Sequence, residues 1–190
     1  VLFCMIVLGL YVYAKSSASS RVSAIRIDKQ NGYKLLVDGK PFLIKGVCYN
    51  PIPIGKSNDF DFWIDPRKPW MVDGELMKKM GVNTVRFYQP GPDGEDMKAV
   101  RQVVSDLYQH YGIRTIMGNW LNFWNYPAPF YDDKNFRDHV KKDVLDMVKS
   151  LKDEPGILFW VLGNEINYSF SGKINPWTSE RIDHMGDSRV

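Results

Sequence analysis

The stretch Glu154-Pro-Gly-Ile-Leu-Phe-Trp-Val-Leu-Gly-Asn164-Glu165 constrains this chain most. Pro155 and Gly156 punctuate the end of a preceding helix. Ile157 to Leu162 is an unbroken apolar run rich in β-branched and aromatic residues, the pattern of a strand buried on both faces of a parallel sheet. Gly163, Asn164 and Glu165 follow at its carboxyl end, where parallel α/β folds keep their chemistry. A carboxylate there, with an amide before it, is a candidate acid/base. A helix start, with Asn164 as cap and Glu165 in the first turn, is the structural alternative.

Upstream, the same grammar repeats. Asp73 to Met80 reads as a short helix stopped by Gly81, and Val82 to Tyr88 as a strand. A helix is predicted from Asp93 or Gly94 to Tyr111, because Met97, Val100, Val103, Val104, Leu107, Tyr108 and Tyr111 recur at three-four spacing. Gly112 ends it, and Ile113 to Trp120 is the next strand. Asp133 to Lys152 gives another helix, with Phe136, Val140, Val144, Met147, Val148 and Leu151 on one face. Alternating strands and helices of this kind build a parallel sheet. Before them, Val22 to Asp28 and Tyr33 to Val37 flank Asn31-Gly32, a hairpin turn signal. Asp38-Gly39 marks a second tight turn, and Pro41 to Tyr49 the strand that enters the main sheet.

A (β/α)8 barrel and a doubly wound sheet both fit. No GxGxxG or GxxxxGK[ST] loop follows the first strand, which disfavours a nucleotide-binding sheet. A barrel needs about 250 residues, and the chain has 190. The expected architecture is therefore a truncated (β/α)8 TIM barrel of about the first four β/α units, preceded by a β-hairpin at 22–41.

Residues 1–20 form a separate region. Val1 to Ala14 is almost wholly apolar, and Ser16, Ser17, Ala18, Ser19 and Ser20 follow Lys15. This is the pattern of a secretory signal with its cleavage zone. An uncleaved membrane anchor is the rival, although the run is short for a span of about 20 residues. Either reading places residues 21–190 in a secreted, periplasmic or cell-envelope setting. Net charge is +3 with no dense basic run, which leaves no footprint for nucleic acid. His110, His139 and His184 lack zinc-ligand spacing. Cys48 is expected to be a buried, unpaired small hydrophobe. The irregular, Pro-rich stretch from Asn50 to Pro69 interleaves Phe60, Phe62 and Trp63, with Trp70 just beyond, either to stack on sugar rings or to pin the loop.

Read together, the predicted strand ends supply Tyr49-Asn50, Arg86-Phe87-Tyr88, Asn119-Trp120 and Asn164-Glu165. That inventory of amides, a guanidinium, aromatic platforms and a carboxylate suits a neutral, hydroxyl-rich substrate. Trp160 reads as packing; Asp132, Asp133 and Glu154 read as caps or solvated charges.

The chain resembles the N-terminal half of a clan A glycoside hydrolase, nearest to the family 2 catalytic barrel and related glucanosyltransferase-type barrels. The resemblance rests on Gly39-Lys-Pro-Phe-Leu-Ile-Lys-Gly-Val47, Met80-Gly-Val-Asn-Thr-Val-Arg86 and the 154–165 stretch, and covers about residues 33 to 168. It implies a retaining glycosidase or transglycosylase on β-linked poly- or oligosaccharide, needing no metal or organic cofactor. Glu165 would be the general acid/base. Asn164 would bond the sugar 2-hydroxyl. Arg86 would orient the nucleophilic Glu, which in such enzymes ends strand seven and lies beyond Val190. Trp120, Tyr88 and Asn50 would line the substrate cleft, with Trp124 and Tyr126 in the loop after Trp120. Glu180, Asp183 and Asp187 follow too soon to be that nucleophile, so residues 1–190 alone are expected to be inactive. A carbohydrate-binding barrel lacking the nucleophile is the alternative from another class. A metabolic barrel acting on a phosphorylated substrate is the third.

Overall fold

The computed structural model describes residues 21–30, 32–57, 59–91, 97–122, 131 and 133–165. The order is β1 (Ile25–Asp28), β2 (Lys34–Val37), β3 (Lys40–Pro41), β4 (Gly46–Cys48), α1 (Pro69–Lys79), β5 (Thr84–Phe87), α2 (Met97–Tyr111), β6 (Arg114–Asn119), α3 (Lys134–Leu151) and β7 (Ile157–Leu162). Strands β1-β2-β3 make a small antiparallel sheet, and β4-β5-β6-β7 make a four-stranded sheet in sequence order. Every pairing in the larger sheet is parallel. This is the succession of β/α units read from the periodicity.

The helices form where apolar residues recur on one side. In α2, Val100, Val103, Val104, Leu107 and Tyr108 are buried, as the three-four spacing predicts. In α3, Val140, Met147 and Leu151 are buried, and Asp133 caps the amino end by accepting from the Phe136 N–H. Helix α1 begins earlier than predicted, at Pro69. Proline fits the first helical position, because its fixed φ is already helical and its missing N–H would be unpaired there anyway. Gly74 lets α1 approach α2 closely, since a Cβ there would sit 2.5 Å from the Tyr111 ring.

Strand β4 is shorter than the predicted 41–49. Only Gly46, Val47 and Cys48 pair with β5. Ahead of them Asn83 replaces strand pairing: its side-chain amide donates to Leu43 O at 2.8 Å and accepts from the Lys45 N–H at 2.9 Å. The tight turn predicted at Asp38-Gly39 is present, with φ of 50° and 80°, as a short hairpin with a right-handed twist requires.

Two cores flank the larger sheet. One joins Val85, Phe87 and Met117 to α2 residues and to Phe62, Trp63 and Trp70. The other joins Ile116 and Leu158 to Val37, with Ile25, Leu35 and Phe42 of the hairpin against it. The hairpin thus covers the face of the larger sheet turned away from the α2 core. Arg114 staples it there: Nη2 donates to Ser23 Oγ at 2.9 Å, Nη1 to Pro155 O at 3.1 Å, and the guanidinium lies 4.9 Å from the Tyr108 ring centroid.

Two further expectations need correction, and one open alternative is resolved. Cys48 is free and exposed rather than buried, because β4 is at the edge of the described sheet. Glu154 is not a solvated charge. It is largely buried at 12% side-chain exposure and pairs with Arg101 at 3.4 Å, and burial raises its carboxyl above the ordinary value against the pull of Arg101. Of the loop aromatics, Phe62 and Trp63 are 3% and 5% exposed, so they pin the loop. Trp160 packs against the core that holds α2, in accord with its reading as packing.

Candidate active site

The carboxyl ends of the four parallel strands carry the residues that the sequence singled out. Tyr49 and Asn50 follow β4, Tyr88 follows β5, Trp120 follows β6, and Asn164 and Glu165 follow β7. Tyr49 N donates to Arg86 O at 3.0 Å, and Gly163 N to Asn119 O at 2.8 Å. Sheet pairing therefore continues right up to the rim.

Arg86 and Asn164 meet directly, Nη2 donating to Oδ1 at 3.0 Å. The same guanidinium lies 4.6 Å from the Tyr88 ring centroid. Its Nε is buried without a hydrogen-bond partner among the described residues. The Tyr88 hydroxyl donates to Cys48 Sγ at 3.3 Å. That bond is the first cause of the raised Tyr88 hydroxyl pKa, followed by burial. The Arg86 charge opposes the shift, and the negative charge of Glu165 adds to it. Glu165 follows Asn164 directly, at the carboxyl end of β7 and on the same rim. It is exposed, with a left-handed φ of 53°. A non-glycine residue there stores strain, of the kind that clusters at functional sites.

Beside this group is a cleft of about 200 Å³. Asn50, Tyr88 and Trp120 line it, with Phe60 and Asp61 from the 50–69 loop. Tyr49 forms its floor: the ring meets Phe62 and Phe87 edge-on at 6.0 Å and 5.9 Å, and its hydroxyl donates to Asp73 Oδ2 at 2.8 Å. Burial, then that bond, pushes the Tyr49 hydroxyl far above its ordinary value, so it stays a neutral donor. Gly118 permits the geometry, because β6 passes so close to β5 that a Cβ would lie 2.5 Å from Tyr88 O.

The structure therefore brings Arg86, Asn164, Tyr88 and Glu165 together and sets Asn50 and Trp120 in the neighbouring cleft. Trp124, Tyr126 and the region 1–20 lie outside the described residues. Sequence reading passed over Asp61. Its only local signal is the Asx turn it makes with Trp63, whose N–H it receives at 2.9 Å. Among the described residues no cluster of His, Cys, Asp and Glu could hold a metal ion, and no helix is long and apolar enough to cross a membrane.

No family model matches the chain. Its sequence is similar to the 1,3-beta-glucanosyltransferase GAS4 of Saccharomyces cerevisiae, 37% identical over 190 residues, covering 96% of this chain and 37% of that protein. It is also similar to the 1,3-beta-glucanosyltransferase gel2 of Aspergillus fumigatus, 28% identical over 160 residues, covering 82% of this chain and 32% of that protein. The chain spans about a third of the length of these relatives. Among solved structures, its fold is similar to Bacteroides uniformis beta-glucuronidase 2, with a TM-score of 0.55 and 18% identity, covering 84% of this chain and 16% of that one. The sequence similarity is to glucanosyltransferases and the fold similarity to a glycosidase, and neither singles out family 2.

Proposed function

We propose that the whole protein is an exported retaining glycoside hydrolase or transglycosylase acting on β-linked glucan, with Glu165 as its general acid/base. The observation that carries this is the Arg86–Asn164 bond beside Glu165 at the carboxyl rim of a parallel sheet. The four described parallel strands are, on this reading, the first four of a (β/α)8 barrel, and a second carboxylate from later in the polypeptide is the nucleophile.

Each group then has a task. Glu165 protonates the glycosidic oxygen as the nucleophile attacks the anomeric carbon, and the leaving sugar departs with that proton. It next deprotonates the incoming water or sugar hydroxyl, which displaces the enzyme carboxylate. Asn164, its carbonyl held by Arg86, offers its amide N–H to the sugar 2-hydroxyl, a contact that strengthens in the oxocarbenium-like transition state. Arg86 keeps the nucleophile ionised, since an adjacent cation lowers a carboxylate's pKa. Its Nε, without a partner among the described residues, can make that contact. Tyr88, Trp120 and Asn50 supply the faces and polar edges on which glycosyl units rest. The similarity to 1,3-beta-glucanosyltransferases makes a β-1,3-linked glucan the first substrate to try.

The test is turnover of a β-1,3-glucan oligosaccharide by the whole protein, with products sized by chromatography. Shorter products signal hydrolysis and longer ones signal transfer. Glu165→Gln should cut the rate about 10²- to 10⁴-fold, least on activated aryl glycosides, where azide restores part of it. Near-normal turnover by that variant on the natural polymer would remove Glu165 from the role. Saccharide binding without turnover by the unaltered protein would instead support a carbohydrate-binding barrel.

A further inference from the structure

The structure assigns a hydroxyl-recognition point to Asp61 and Trp120, one that accepts a neutral glycosyl unit and rejects a uronic acid. It rests on the carbohydrate reading above and adds a specificity determinant to it.

Asp61 is held rigidly. Its neighbours Phe62 and Trp63 are buried and pack on Phe87 at 5.8 Å and 4.6 Å between ring centroids. Its Oδ1 accepts the Trp63 N–H at 2.9 Å. Its Oδ2 is buried and has no partner among the described residues. Trp120 Nε1 is likewise buried and unpartnered among them. Both residues line the same cleft. One acceptor and one donor, each without a partner among the described residues, thus belong to two residues that border one space.

Leaving such groups unpaired is costly, and each calls for an explanation. An indole N–H can only donate, and a carboxylate oxygen can only accept. A sugar hydroxyl does both, so one hydroxyl, or two vicinal ones, satisfies the pair. The flanking Phe60 and Tyr88 rings supply apolar faces for a pyranose. A carboxylate on the sugar would instead meet Asp61 and Asp59, both of which line the cleft, and like charges at close range repel.

The experiment is calorimetric titration of the whole protein carrying Glu165→Gln, which spares the ligand from turnover. Two probes of equal length are used: a neutral β-1,3-glucan oligosaccharide and a β-linked oligosaccharide containing glucuronic acid. Adding Asp61→Leu should weaken the neutral probe about 10- to 100-fold, the loss expected for a hydrogen bond to a charged acceptor. Adding Asp61→Asn keeps the Oδ1 acceptor and the turn. It should tighten the acidic probe about 10-fold while weakening the neutral one, reversing the preference. Trp120→Phe should weaken the neutral probe about 5-fold or more. A purely structural role for Asp61 would lower both probes in parallel together with the melting temperature, and that outcome overturns the inference. So does unchanged neutral binding in Asp61→Leu. If the Glu165→Gln parent binds neither probe, the carbohydrate reading itself falls and takes this inference with it.

Discussion

Arg86 and Asn164 lie 78 positions apart in the chain and are joined by one hydrogen bond of 3.0 Å. The bond reaches across β6, from the inner side of β5 to the turn after β7, and so fixes the residue that precedes Glu165. Arg86→Lys keeps the charge but loses the fork and the stacking on Tyr88. On the proposed function, turnover of a β-1,3-glucan oligosaccharide by the whole protein should fall about 100-fold, the scale for losing one preorganised donor. Circular dichroism should show an intact fold. Turnover within twofold of normal would mean that Arg86 serves packing alone.

Gly118 carries a prediction about shape. An alanine there would press its Cβ on the carbonyls of Phe87 and Tyr88 at 2.7 Å and 2.5 Å, and both are backbone atoms that cannot swing aside. Gly118→Ala should cost about 1–3 kcal/mol in urea denaturation. It should also weaken saccharide binding, because Tyr88 moves with its carbonyl.

What the sequence revealed and what it concealed divide along physical lines. Strands β5 to β7 and helices α2 and α3 were legible because one buried face imposes a period on each of them. The rim group was legible because a strand end is a fixed address: Arg86, Tyr88, Trp120 and Asn164 all stand where the strands stop. Helix α1 was misjudged at its start because Pro69 breaks a helix interior yet suits its first turn. Cys48 and Glu154 were misjudged because their surroundings come from distant residues, an edge position for one and Arg101 for the other. Asp61 had no period to announce it; its isolation emerges only when the loop folds onto Phe87.

Trp70 is 2% exposed, and its Nε1 donates to Asp106 Oδ2 at 2.9 Å. Asp106 also accepts from Gln102 Nε2 at 2.6 Å on its other oxygen. Trp70→Phe keeps an aromatic ring but removes the indole donor from a buried carboxylate and leaves space where the rest of the indole stood, so we expect a loss of about 1–3 kcal/mol. Changing Asp106 to leucine in the same protein should recover part of that loss. Additive losses in a double-mutant cycle would show the contact to be energetically silent.

The loop that bears Asp61 should weaken in acid. The Arg67 side chain, and then its backbone N–H, hold the Asp65 carboxyl below its ordinary value. A depressed folded pKa contributes stability that is whole above the unfolded value, about pH 4, and is lost as pH falls through the folded one. Melting temperatures should therefore drop below about pH 4 in the normal protein, and Asp65→Asn should flatten that drop. Identical pH profiles for the two would mean that the Asp65–Arg67 contact does not survive in solution.

The hairpin has a topological consequence. With Val37, Ile116 and Leu158 packed together, and Arg114 pinning Ser23, the hairpin is fastened to one face of the four-stranded sheet. Cutting residues 21–41 away would bare Ile116 and Leu158 to water, so the small antiparallel sheet and the parallel one must fold as one cooperative unit.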